Sequence, residues 1–547
     1  MTRDVPLWSW NCINGKCIPE NSTISQKIQS QITCTMLCGG PQFWPQPTGM
    51  IKVSNAAVAV HEDLFSLQIL SFPSTTVRDH LKKAFKLFRS NIQKIKNNSH
   101  VFQTQHPVIV RVTINENGSI DPRMRIDTDE SYQLRLNKEN NLVNVNISSN
   151  SFCGSRHALE TLLQMIWVDP YTKGLFILEE AVVDDAPRFR YRGLMLDTTQ
   201  TYFPITDILR TIDGMAASKL NTFHWHTTNL ERFSLQLKNI PRLDLYGIYE
   251  NMYTAEDVRV ITRHARVRGI RVLIDFDLLA YVGNAAFWGR QASIKDLVPG
   301  TEKKLIKACE LINLNDTYIL NIALEIYKEI FDLTGVDDIF YFGGSDVPYD
   351  CWALKFNTTS PSNIWYKLTL SILKKIESDD IKLPYIILWS NYIENTLIDL
   401  QAYYDKVVFQ IPNAISQHSY FSGSCVIISN SDKWDLNSGY GTWYEGLSTR
   451  YNSWQRVYEF RSWSRNMTCI EGGEVTVWTS TLDADGLDAR IWPRSAAFAE
   501  RLWSDRAGSV THSVQTRLNL QRQRLIYRGI ESTPLGSMWC ACNTIYC

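Results

Sequence analysis

Between residues 191 and 480 the chain repeats one pattern eight times: a short apolar run that ends in polar or aromatic residues. The runs are YRGLMLD, NTFHWH, RVLIDFD, DIFYFGG, YIILWSN, KVVFQIP, CVIISN and EVTVWTS. Continuous apolar runs of this length predict strands buried on both faces. Helical periodicity fills several of the gaps, as in ITDILRTIDGMAASK (205–219) and TAEDVRVITRHARVRG (254–269). Strands alternating with helices predict parallel βα units. Eight of them predict a closed (β/α)8 TIM barrel, with any site at the C-terminal ends of the strands. An open doubly wound sheet is the competing arrangement, and no glycine-rich dinucleotide loop supports it.

Upstream the pattern changes. HPVIVRVTI (106–114) alternates with period two, VRDHLKKAFKLFRSNIQKI (77–95) has helical spacing, and RHALETLLQMIW (156–167) predicts a last helix. The stretch VVDDAPRFR (182–190) reads as a proline-containing crossing. The fold class is therefore α/β, a (β/α)8 barrel preceded by a smaller α/β domain. The expected division is a cysteine-bounded lead at 1–45, the α/β domain at 46–187, and the barrel with a cysteine tail at 188–547.

The strand ends supply the candidate chemistry. They carry His224, Trp225, His226 and Asn229, then Asp275, Asp277 and Tyr281, then Ser345 and Asp346 after two glycines. Trp389, Trp434, Asp435 and Trp478 follow on later strands, and Arg192 opens the first. Several tryptophans with a few carboxylates suit a pyranose site, although tryptophans also fill large cores. His224 and His226 have the character of a metal pair. No third ligand follows nearby in sequence, so hydrogen bonding or packing is the expected role, and no metal is assigned.

Charge and cysteines narrow the setting. Lys plus Arg and Asp plus Glu each number 56, for a net charge of zero. Neither nucleic-acid binding nor a disordered acidic tail is indicated. The 12 cysteines cluster, with Cys12, Cys17, Cys34 and Cys38 in the lead and Cys540, Cys542 and Cys547 at the end. Histidines at zinc-finger spacing do not accompany them, so disulfides are expected, with the lead cysteines pairing among themselves. Glycosylation sequons at Asn21, Asn97, Asn117, Asn146, Asn315, Asn357 and Asn466 also point to the secretory pathway, and so to a secreted or lysosomal protein. No run of about 18 apolar residues could span a membrane. MTRDVPLWSW lacks a signal-length apolar core, so the expected signal or anchor is not contained in this numbering.

RGLMLDT (192–198), KLNTFHWH (219–226), ARVRGIRVL (265–273), the GG-x-D-V-x-x-x-CW pattern at 343–352 and ARIWPRSAAFAERLWS (489–504) together carry a resemblance. The chain is similar to the β-N-acetylhexosaminidases of glycoside hydrolase family 20, and among them to the insect type. WSWNCINGKC and FWPQPTG resemble the N-terminal region of insect members. The resemblance implies removal of terminal N-acetylglucosamine or N-acetylgalactosamine without metal or coenzyme. The sugar's own acetamido oxygen is the nucleophile, an exception to the two-carboxylate scheme. A Glu protonates the leaving oxygen, and the Asp before it holds the acetamido group. The resemblance also implies a Cys309–Cys351 disulfide, and homodimerisation, which is frequent in the family.

Set on this sequence, the Asp-Glu pair falls on Ser345-Asp346. Further departures are Asn229, Tyr281, Tyr341, Asp435 at the acetamide-contacting tyrosine, Ser480, and Gln200 in place of the basic residue that closes the first motif. Arg192 is matched to the arginine that grips the sugar hydroxyls, and Trp389, Trp443 and Trp478 to the pocket tryptophans. These residues and Asp346 are expected to face one pocket at the barrel mouth. Three readings stay open: a glycan-binding family member with weak or no hydrolysis, a working hexosaminidase with Asp346 as proton donor, and a recognition or structural protein with a vestigial pocket.

Overall fold

The computed structural model describes residues 8–21, 28–38, 40, 42–97, 107–228, 233–238, 251–275, 293–294, 311–312, 317–344, 362–378, 384–389, 403, 405–412, 424–441, 449–461, 463, 469–506 and 510–536. The eight apolar runs become the eight strands of a closed parallel barrel. In order they are Tyr191–Asp197, Thr222–His226, Arg271–Asp275, Ile339–Tyr341, Tyr385–Trp389, Val407–Ile411, Cys425–Ile428 and Ile470–Val477. The eighth closes on the first, with Arg192 beside Gly473 and Leu196 beside Val477.

Alternation along each strand sorts the side chains. Phe223, Trp225, Val272 and Ile274 point outward into the shell of helices. Tyr191, Leu273, Ile339, Tyr341, Ile387, Trp389, Val408 and Ile427 fill the interior. Burial of each such side chain contributes about 1.5–3 kcal/mol. The helices follow local signals. Ala255–Arg266 starts with a capping box, Thr254 against Asp257, and ends on Arg263, His264 and Arg266, which complement the negative end of the helix dipole.

The smaller unit is a mixed eight-stranded sheet. Across it lie Ile51–Val53, Glu180–Asp185, Tyr132–Glu139, Leu142–Ser149, Val108–Glu116, Ala57–Ser71, Leu175–Leu178 and Ile166–Val168. Helices Thr75–Asn97 and Phe152–Leu163 pack against it. The second helix differs from expectation. It begins four residues earlier than 156, because Ser151 caps it by accepting from Gly154 N at 3.1 Å. It ends at Leu163, and Ile166–Val168 leaves the helix to pair with Leu175–Leu178 at the sheet edge.

The lead cysteines pair as Cys12–Cys38 and Cys17–Cys34. A third disulfide, Cys425–Cys469, joins the start of the seventh barrel strand to the residue before the eighth. Cysteine spacing did not predict it, because the two residues are 44 apart and belong to neither cluster. Cys309, Cys351 and the terminal cysteines lie outside the described residues. No described helix is long and apolar enough to cross a membrane.

Candidate active site

The two ends of the barrel hold different chemistry. At the N-terminal end stands Arg192, whose expected place in the sugar pocket is contradicted. It is the second residue of its strand and points outward, fully buried, toward the smaller domain. Its guanidinium donates to both Glu130 oxygens, at 2.9 and 2.5 Å, and to the carbonyls of Lys219 and Phe189 at 2.9 and 2.8 Å. Glu130 also binds His157 at 2.9 Å and accepts from Asn221 at 3.1 Å. Burial works against the Glu130 charge, but Arg192 and His157 hold its pKa down at about 2. Beside this cluster, Lys219 donates to Asp185 and Tyr132, each at 2.9 Å, while Trp503 donates to Asp185 at 2.8 Å. Arg192 is therefore part of a clamp between domains. The part of the first motif that reaches the C-terminal end is Asp197 to Gln200.

Above this floor a polar ladder climbs the barrel axis. Tyr191 donates to Glu474 at 2.6 Å. The other Glu474 oxygen meets His224 Nδ1 and Gln410 Nε2, both at 2.8 Å. Tyr341 donates to Gln410 Oε1 at 2.8 Å and stacks on His224 with centroids 4.1 Å apart. Gly193 leaves room for the ladder, since a Cβ there would sit 2.7 Å from both Glu474 and Tyr191. Asp275 takes His226 Nδ1 at 2.7 Å and lies 3.4 Å from His224 Nε2. Burial opposes a charge on His224, but Glu474 and Asp275 outweigh it and raise its pKa. Asp275 is likewise opposed by burial and held low by the two histidines.

The ladder was only partly legible. His224, His226, Asp275 and Tyr341 stand at strand ends, whereas Gln410, Glu474 and Tyr191 were missed. The signal was present: a Gln within KVVFQI and a Glu within GGEVTV are polar breaks at inward positions of otherwise apolar strands.

At the mouth, Asp197 ties the first strand to the loop after the eighth. It accepts from Thr199 N and Oγ1 at 2.8 and 2.7 Å, and from Thr479 N and Oγ1 at 3.3 and 3.1 Å. Trp389 ends the fifth strand with its ring 6.3 Å from Tyr341 and its buried Nε1 without a hydrogen-bond partner. Trp478 follows the eighth strand, half-buried, with its ring edge-to-face to His226 at 5.2 Å. Asp435 pairs with Thr476 at the same end. Its oxygens accept from Asn437 N at 2.8 Å and Ser438 Oγ at 3.0 Å, and burial raises its pKa against those bonds. Trp434 and Trp225 belong to the outer core, with Trp434 Nε1 on Val457 O at 3.2 Å and Trp225 Nε1 on Thr198 Oγ1 at 3.0 Å. The fourth strand runs to Gly343 and Gly344, whose φ values of 77° and 101° suit only glycine comfortably. Ser345 and Asp346 come next in the chain and, like Asn229, Asp277, Tyr281 and Trp443, lie outside the described residues.

The fold is a closed parallel barrel with a polar axis and tryptophans at its mouth, joined to a smaller sheet domain, and its kinship comes from sequence. Residues 189–506 match the family described as glycosyl hydrolase family 20, catalytic domain, and residues 43–165 match beta-acetyl hexosaminidase like. The chain belongs to glycosyl hydrolase family 20. It is 31% identical to a probable beta-hexosaminidase of Drosophila melanogaster, across 99% of this chain and 91% of that protein. It is 31% identical to the chitooligosaccharidolytic beta-N-acetylglucosaminidase of Ostrinia furnacalis, across 99% and 96%. With the human beta-hexosaminidase subunit beta the identity is 30%, across 92% and 90%. Among solved structures, the chitobiase of Flavobacterium johnsoniae superposes with a TM-score of 0.69 at 20% identity, covering 89% of this chain and 73% of that one. The family 20 β-N-acetylhexosaminidase of Streptomyces coelicolor gives 0.63 at 17% identity, covering 90% and 97%.

Proposed function

We propose that this protein binds terminal N-acetylhexosamine of chitooligosaccharides or N-glycans and hydrolyses it weakly or not at all. The observation that carries the reading is Ser345-Asp346 at the position of the family's Asp-Glu pair. The cyclic intermediate is cationic around its ring nitrogen, and a serine hydroxyl offsets that charge far less than a carboxylate does. Losing such a partner costs about 100- to 1000-fold, and moving the acid back by one methylene costs on the order of 100-fold.

Trp389 and Trp478 at the mouth support retained sugar binding. Arg192 no longer does, since Glu130 engages it on the other side of the barrel. A rebuilt active site would need another carboxylate, and Asp435 is the candidate at the mouth. Its oxygens bind its own turn at Asn437 and Ser438, which favours the weak-hydrolysis reading. The disulfides support an oxidising compartment, and Asn21, Asn117 and Asn146 are exposed for glycosylation. A secreted or lysosomal location is the corresponding proposal.

The test pairs an aryl N-acetylglucosaminide assay with a titration of N-acetylglucosamine thiazoline, a mimic of the cyclic intermediate. Saturable thiazoline binding with turnover at least about 1000-fold below a typical family member is expected. Turnover at a normal family rate would establish the working-enzyme reading, and absence of both binding and turnover the vestigial one.

A further inference from the structure

The third ligand that the sequence near His224 and His226 lacked comes from the neighbouring strand. Asp275 stands 49 residues from His226 in the chain and 2.7 Å from it in space. We propose that His224, His226 and Asp275 form a binding site for a first-row divalent cation of borderline softness, with Zn²⁺ as the fitting species.

Three observations carry this. The first is the donor set. One ligand atom from each residue can be chosen so that all lie within 4.8 Å of one another. Two imidazoles with one carboxylate suit zinc and disfavour calcium or magnesium, which take oxygen ligands. In a tetrahedral zinc site with bonds near 2.05 Å, the ligand atoms stand roughly 3.3 Å apart. His224 Nε2 and Asp275 Oδ2 are already 3.4 Å apart, and the closer His226–Asp275 pair would open by roughly half an ångström to match.

The second observation is the support behind the first ligand. Glu474 takes His224 Nδ1 at 2.8 Å, which leaves Nε2 facing Asp275. A carboxylate behind the distal nitrogen of a histidine is the arrangement that orients metal-binding imidazoles. Glu474 is itself fixed by Tyr191 and Gln410.

The third is incompleteness. His224 and Asp275 are fully buried, yet Asp275 Oδ1 has no hydrogen-bond partner and His224 Nε2 meets only Asp275 Oδ2, at a long 3.4 Å. A buried polar atom left without a partner costs about 1–3 kcal/mol. A cation held by His224 Nε2 and the Asp275 carboxylate would strengthen the long contact and give the carboxylate a charge partner, and a three-residue set leaves a fourth position for water or a ligand oxygen. The rival account keeps a proton there, with imidazolium held between Glu474 and Asp275, and the experiment separates the two.

The full-length protein is stripped with a chelator, dialysed, and titrated with Zn²⁺ while elemental analysis reads stoichiometry. Co²⁺ replaces Zn²⁺ to read coordination by visible absorption. One Zn²⁺ per chain, a tetrahedral cobalt spectrum and a raised Tm are expected. Asp275→Asn should abolish stoichiometric binding, and Glu474→Gln should weaken it by roughly 10- to 100-fold. A second group with metal-ligand atoms, His61, Glu62 and Asp63, includes an exposed residue, and His61→Ala should leave the stoichiometry unchanged. Absence of stoichiometric zinc in the unmodified protein overturns the proposal, whatever the variants do. So does binding that survives Asp275→Asn, or that is lost in His61→Ala.

Discussion

The floor and the mouth of this barrel have kept different things. At the floor, described charges answer one another across the domain boundary: Arg192 with Glu130, Lys219 with Asp185, Arg528 with Glu160. On the reading proposed above, the sequence positions matched to family catalytic residues carry other side chains, at Gln200, Asn229, Tyr281, Ser345, Asp346, Asp435 and Ser480. A buried ion pair that loses one member leaves an uncompensated charge in a poor solvent, so each floor residue constrains the other. A carboxylate at the mouth is constrained by the reaction, and once turnover is not required that constraint lapses. Tyr341 fills its inward position, with its hydroxyl bonded to Gln410 and its ring on His224.

The comparison breaks most sharply at Ser345-Asp346. Restoring Ser345→Asp and Asp346→Glu together should raise aryl N-acetylglucosaminide hydrolysis by at least about 1000-fold, read as kcat/KM. No gain in a folded double variant would show that the other replacements matter as much. If Asp435→Asn alone abolished an existing activity, the mouth would be rebuilt and not abandoned.

Next comes the floor. Arg192→Ala should destabilise the protein by about 3 kcal/mol or more in chemical denaturation, because Glu130 is left buried without its cation. Thiazoline affinity in the remaining folded protein should hold, which a sugar-gripping arginine would not allow. A smaller effect is expected of Trp478→Ala. Loss of this half-buried ring should weaken thiazoline binding by about tenfold, with little change in Tm.

A further effect concerns a group at neither end. Glu116 in the smaller domain is fully buried, neither carboxylate oxygen has a hydrogen-bond partner, and burial raises its pKa to about 7. The folded state therefore holds this proton more tightly than the unfolded chain does. Its contribution to stability is complete below the ordinary glutamate value of about 4.3 and is lost as pH rises through about 7. Glu116→Gln should flatten that slope in denaturation curves taken between pH 5 and pH 8. An unchanged slope would place the titration elsewhere.

Sequence pattern carried the barrel well, because parallel strands buried on both faces are continuous apolar runs and each of the eight is one. It misplaced Arg192 for a reason visible in the same run. A strand has direction, and the second residue of YRGLMLD stands at its beginning, so the mouth receives Asp197 and the residues after it. Period two also sends Arg192 outward, away from Tyr191 and Gly193. The His224–His226–Asp275 group and the Cys425–Cys469 bond were hidden because each joins neighbouring strands that a helix-bearing connection separates in the chain.

The clamp around Arg192 and Lys219 bears on modularity. Barrels of this kind are often thought of as self-contained units that could be cut out and joined to other sequences. Here a gene fragment encoding only the barrel would leave Arg192 without Glu130, Lys219 without Asp185 and Arg528 without Glu160, all three cations having been placed to meet carboxylates encoded upstream. A barrel excised from this sequence would expose a floor built to pair with the smaller domain, with water in place of three carboxylate partners.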